Sequence, residues 1–268
     1  MTGTLQYHRP SSIAEAVATI RSNENLKVIA GGQSLLPAMR LRLTMPAGLV
    51  DLARIAALDG IAVSPKSVSL GAMTCHTEVA ESAAVSHAIP ALSSLAAGIG
   101  DRQVRNLGTV GGSLANNDPA ACYPAAALAL SAVVQTDRRQ LGIDQFLNGM
   151  FATRLEADEL ITAVAFRIPA RAAYVKFMHP ASRFALVGVF VSHLGDEVRV
   201  AVTGAGARGA FRACSMETAL NSSFSVDALV GVDVDARDLM TDMHASAEYR
   251  AHLISVLTRR AVQLAIES

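Results

Sequence analysis

Two short segments carry the residue types needed to hold a diphosphate: Ala30-Gly31-Gly32-Gln33-Ser34 and Thr109-Val110-Gly111-Gly112-Ser113. Glycines let an anion come up against bare backbone N–H groups, and the flanking hydroxyls and amide add neutral donors. Neither segment contains a lysine, so neither is a Walker loop. Binding through amide dipoles and neutral donors suits a permanently held diphosphate better than a phosphate in transfer. Two such segments suggest a ligand gripped from both sides, although glycine pairs also serve simple tight turns.

A third glycine pattern, Gly204-Ala205-Gly206-Ala207-Arg208-Gly209, matches GxGxxG after an apolar run at 198–202. A dinucleotide fold would need a following helix and a second parallel strand. The segment 225–238 does not read as a buried strand, so the pattern is taken as a loop. Asp118-Pro119 reads as a helix cap followed by the first helical position. Lys176 reads as a strand lysine, and Arg102 and Arg105 as surface cations. The histidines show no metal-ligand spacing and no GxSxG elbow is present, so hydrolase chemistry has little support.

The elements that must position these groups follow from patterning. Ser12-Ile13-Ala14-Glu15 is a capping-box pattern opening a helix over 12–22. Short strands are expected at 27–30, 49–52, 67–72 and 132–136, and helices at 77–84, 88–97 and from Pro119 to about Leu130. An extended run over 158–168 ends at Pro169, which marks the expected domain boundary. Beyond it, strands are expected at 174–178, 184–194 and 198–202, the last two as a hairpin. A short helix at 215–221 and a long amphipathic helix at 245–266 complete the chain. Leu253, Val256, Leu257, Ala261 and Leu264 share one face of that last helix.

The chain has 268 residues, 51% hydrophobic, with 23 basic and 23 acidic residues. Zero net charge gives no support for nucleic-acid or membrane-surface binding. No apolar run approaches a membrane span, and the N-terminus lacks a signal-peptide pattern. Cys75, Cys122 and Cys214 are far apart, which argues against a disulfide framework or a metal cluster in this chain and for a cytoplasmic location.

AGGQSLLPAMRLRL with Leu49-Val50-Asp51-Leu52 after it, LGAMTCHTEV, and RNLGTVGGSLANNDPAACYPAAALAL together resemble the FAD-binding subunit of the molybdenum hydroxylases. That family includes xanthine dehydrogenase and the aerobic carbon monoxide dehydrogenase. Asp158-Glu159-Leu160-Ile161, Tyr174-Val175-Lys176-Phe177, Glu248-Tyr249-Arg250 and Leu257-Thr258-Arg259-Arg260-Ala261 extend the resemblance over essentially the whole chain. It implies an α+β fold: a vanillyl-alcohol-oxidase (PCMH) type FAD domain over 1–169, with subdomains of about 1–55 and 56–169. A small C-terminal α/β domain over 170–268, of the carbon monoxide dehydrogenase flavoprotein type, would follow.

The resemblance further implies FAD in this chain, its diphosphate and ribityl chain at Ala30, Gly31, Gly32, Gln33, Ser34, Thr109, Gly111, Gly112 and Ser113. Ile99 and Ile161 would pack near the flavin or adenine. Lys176 would stand near the flavin ring, where a cation favours the anionic reduced form. Leu35, Leu36 and Gly71 are further candidates. The family usually has an acidic residue within DPAAD, and this chain has Cys122 there; Asp118 is the nearest alternative acceptor. The loop at 204–209 lacks the proline common in the family.

Molybdopterin and 2Fe–2S clusters would reside in a large and a small partner subunit, in a dimer of heterotrimers. Electrons would pass from those clusters to the flavin and on to an external acceptor, with no nucleophile or general base needed here. The alternatives are a dehydrogenase binding NAD at 204–209, and an assembly subunit that has lost its flavin.

Overall fold

The computed structural model describes residues 5–267. Among the described residues, twelve strands form three sheets, each beside its own apolar core. The first sheet is parallel, in the order β1-β3-β2: β1 is Gln6–His8, β2 Leu26–Ile29 and β3 Gly48–Asp51. The second is antiparallel, in the order β4-β5-β8-β6-β7. Its strands are β4 Ile61–Val63, β5 Ser67–Gly71, β6 Val133–Thr136, β7 Gln140–Gly142 and β8 Ile161–Arg167. The third, also antiparallel, runs β12-β11-β10-β9. It comprises β9 Arg171–Met178, β10 Ala185–His193, β11 Val198–Thr203 and β12 Phe211–Arg212.

The helix Ile13–Ser22 buries Ala16, Val17 and Ile20 beside the first sheet. Ser12 caps it by accepting from the Glu15 N–H at 3.2 Å, but the returning Glu15 carboxylate reaches the Ser11 N–H rather than that of Ser12. The expected capping box is therefore displaced by one residue. Arg21 on this helix meets Asp158 at 2.6 Å, tying it to the approach to β8. The neighbouring Glu159 is buried against Arg139, whose hydrogen bond holds the Glu159 carboxyl down to about 2.

β10 and β11 are buried along both faces, which accounts for sequences that are mainly apolar on both sides where a half-exposed strand would alternate. One face meets the helix Cys122–Ala129, every residue of which is buried; on the other, the C-terminal helix Ala247–Glu267 covers β10 and the helix Cys214–Ser222 covers β11. Buried polar groups join the elements: Ser192 Oγ donates to the Ala129 carbonyl at 2.5 Å, and Arg199 to the Leu128 carbonyl and Asp144.

Several expectations need correction. Asp118 does not cap the long helix, which begins at Cys122 after Ala121; its carboxylate accepts from the Ala120 N–H in a turn. The intervening residues form a turn instead of helix, held there because the Pro119 and Ala121 carbonyls accept from Thr203 Oγ1, and Pro119 also from the Gly204 N–H. The segment 77–84 is two helices, His76–Glu81 and Ala83–Ala88, broken at Ser82. The C-terminal helix starts at Ala247, and Leu264 is exposed while Val262 and Ala265 are buried. The glycine loop after β11 returns to β12 as antiparallel strand, so the βαβ unit that NAD binding at 204–209 requires is not formed. Among the described residues no helix is long and apolar enough to cross a membrane.

Candidate flavin site

The first glycine segment leaves β2 at Ile29 and turns into the helix Leu35–Arg40. Gly32 has a φ of +69°, the left-handed region that glycine tolerates best. Gln33 Nε2 donates to the Gly31 carbonyl at 3.1 Å and closes the turn. Among the described residues, the N–H groups of Gly31, Gly32, Gln33 and Ser34 meet no protein acceptor. Four consecutive unspent donors form an anion-accepting lip.

The second segment is not a turn but the start of the helix Val110–Asn116, capped by Thr109 Oγ1 at 3.1 Å from the Gly112 N–H. The Val110 and Gly111 N–H groups are already spent on the Thr74 and Ala72 carbonyls. The grip is therefore asymmetric: the first segment offers donors, the second only the half-buried Gly112 and Ser113. Glycine at 111 is dictated by packing, since a Cβ there would lie 2.6 Å from that of Ala72.

The two segments touch. A Cβ on Gly31 would fall 1.9 Å from the Leu107 carbonyl oxygen and 2.8 Å from Gly108 Cα. One on Gly112 would lie 3.5 Å from the Ala30 Cβ. Beneath this seam sits His76, whose Nε2 would be 2.7 Å from a Cβ on Gly108. Burial, with the Arg105 charge adding, pushes the imidazole down to about 4, so it is neutral at pH 7. Arg105 is not a free surface cation: its guanidinium donates to the Ile99 and Gly100 carbonyls.

A second cluster joins three more of the expected residues. Lys176 on β9 donates to the Gly98 carbonyl at 2.7 Å and the Arg183 carbonyl at 3.3 Å, and lies 3.7 Å from Cys122 Sγ. It is thus anchored rather than solvated, on the carbonyl of Gly98, the chain neighbour of Ile99. Tyr174 projects its buried, unpartnered hydroxyl toward Cys122. Burial, then the thiol, raises that phenol well above its ordinary range. Gly188 across the sheet makes room, since a Cβ there would be 2.6 Å from the Tyr174 hydroxyl. Tyr174 and the Gly98 carbonyl were not singled out from sequence; Gly188, which pairs with Lys176 and lies diagonal to Tyr174, is the sequence feature that goes with the tyrosine.

Of the remaining expected residues, Ile161 opens β8 and is buried in the core of the second sheet, and Leu35 opens the helix after the first lip. Leu36 is exposed on that helix, and its side chain would lie 3.0 Å from a Cβ on Gly32. Gly71 ends β5, where a Cβ would meet the Leu58 carbonyl at 2.4 Å. Asp118 is half-buried in its turn.

Free amides on one lip, glycine surface on the other, and an anchored cation fit a dinucleotide whose diphosphate needs donors and whose ring needs a cationic neighbour. An FAD-binding chain of the two-subdomain α+β class has these parts. Residues 3–171 match the family described as FAD binding domain in molybdopterin dehydrogenase, and the chain belongs to that family. It is 34% identical to the nicotine 6-hydroxylase medium subunit of Paenarthrobacter nicotinovorans, across 96% of each chain. The carbon monoxide dehydrogenase medium chain of Hydrogenophaga pseudoflava is 32% identical, over 97% of this chain and 96% of that one. Among solved structures, a chain of reconstituted CO dehydrogenase from Oligotropha carboxidovorans superposes with a TM-score of 0.90 at 30% identity, covering 99% of this chain and 98% of that one. The protein is an FAD-binding oxidoreductase subunit of this medium-chain type.

Proposed function

We propose that the chain holds FAD across the glycine seam and passes electrons from iron–sulfur clusters of a small partner subunit to an external acceptor. Substrate oxidation would belong to a large molybdopterin-binding subunit, in a dimer of such heterotrimers. The observation that carries the reading is the run of four unspent N–H groups from Gly31 to Ser34, set against the half-buried backbone at Gly112. Bound FAD supplies exchange between one-electron carriers and two-electron acceptors. The chain's own residues bind and tune it. The lip at 31–34 holds the diphosphate, with Thr109 and Ser113 opposite; Ile99 and Ile161 give apolar contact; Lys176 places positive charge by the ring. Cys122 and Asp118 complete the set. Pro169 divides the FAD-binding part from the C-terminal domain, and the three free cysteines agree with a cytoplasmic location.

Purified chain reconstituted with FAD should retain about one flavin per chain, and Gly112→Val should abolish retention. A chain that stays colourless after reconstitution would refute the reading in favour of an assembly role. Full flavin content in Gly112→Val would remove the second segment from the site. Copurifying proteins, with molybdenum and iron analysis, test the proposed partners.

A further inference from the structure

Lys176 Nζ has three neighbours, and none carries a negative charge by nature: the Gly98 carbonyl, the Arg183 carbonyl and the Cys122 thiol. Among the described residues, no carboxylate lies within ion-pair distance of it. Cys122 is buried at the first position of its helix, where its side chain faces the ammonium. An aspartate at 122 would place a carboxylate on that ammonium and cancel its charge locally. A thiol fills the same space and leaves the charge in place.

We propose that Cys122 is a tuning residue: by denying Lys176 a counter-ion, it raises the reduction potential of the bound flavin. The inference rests on the reading that the flavin ring lies at Lys176. Two-electron reduction adds two electrons and one proton to the neutral oxidised ring and leaves it with one negative charge. A neighbouring ammonium favours that product, and a carboxylate paired to the ammonium removes the advantage. Tyr174, whose hydroxyl faces the same thiol, is neutral and does not substitute for a counter-ion.

The test is a dye-equilibrated potential titration of the full chain loaded with FAD, for wild type, Cys122→Asp, Cys122→Asn, Cys122→Ser and Lys176→Met. Cys122→Asp should shift the reduction equilibrium at least tenfold toward oxidised flavin, a fall of about 30 mV for a two-electron couple. Lys176→Met should shift it in the same direction, and the two neutral variants should stay within threefold of wild type. A tenfold fall in Cys122→Ser or Cys122→Asn overturns the proposal, because charge would not be the variable; this arm holds even if Cys122→Asp fails to fold. An unchanged Cys122→Asp beside a shifted Lys176→Met overturns the proposal but keeps the ring at Lys176. An unchanged potential in Lys176→Met with flavin bound places the ring elsewhere and overturns both.

Discussion

Adding one methyl group at Gly31 tests the seam directly. The new Cβ of Gly31→Ala would sit 1.9 Å from the Leu107 carbonyl oxygen. A relaxed carbon–oxygen contact needs about 3.3 Å, so the two segments must part by roughly 1.4 Å. The obstacle is backbone on both sides, with no side chain free to swing away. Overpacking of this kind costs about 1–3 kcal/mol, shared between a weaker fold and a wider cradle. If most of it falls on the cradle, FAD affinity drops about ten- to hundredfold, at a tenfold change per 1.4 kcal/mol. Fluorescence titration of the apo chain with FAD reads the affinity, and urea unfolding of the same apo chain reads the fold. Gly142→Ala is the control, since a Cβ there meets nothing within 4 Å. A Gly31→Ala chain with unchanged affinity and unchanged unfolding midpoint would show that the two segments do not touch as described.

Three further outcomes are expected. His76 is held at about 4 in the folded chain against an ordinary 6.5. Below pH 6.5 the unfolded chain takes up a proton the folded chain refuses, so stability falls from pH 6.5 to about 4 and the effect levels off below. The loss is on the order of 3 kcal/mol, and His76→Gln should shallow the pH dependence of urea unfolding; an identical slope in both proteins contradicts the buried neutral imidazole. Arg250, buried and bonded to the Leu186 and Gly204 carbonyls and to Asp242, should cost about 3–5 kcal/mol when replaced by alanine, measured by the thermal midpoint. Thr109→Ala removes the cap on the Gly112 N–H and should cost about 1 kcal/mol, with urea unfolding as the readout.

Both glycine segments stood out because glycines flanked by hydroxyls and an amide sit at element boundaries, although the second is a helix start where the sequence suggested a turn. Their asymmetry was not, since which N–H groups are spent depends on Ala72 and Thr74, brought alongside by the fold. Mainly apolar strands such as β10 and β11 announced themselves, whereas the three-residue strands β1, β4 and β7 are too short to leave a period. Asp118-Pro119 misled for a tertiary reason: its local preference for starting a helix yields to hydrogen bonds from Thr203 and Gly204. Lys176 looked like any solvated strand lysine; its anchorage comes from carbonyls far away in the chain and from a thiol whose position only the packing of the helix Cys122–Ala129 reveals.

The contact between Gly31 and the Leu107–Gly108 backbone has a consequence for how the protein matures. Backbone packs on backbone where Gly31 meets Leu107 and Gly108, so polypeptide contacts set the spacing of the two lips. A cradle whose spacing is set this way should spend little of the FAD binding energy on ordering polypeptide. Cofactor loading is thus separable from synthesis: flavin uptake by the stored apo chain should follow a single phase whose rate rises linearly with FAD concentration.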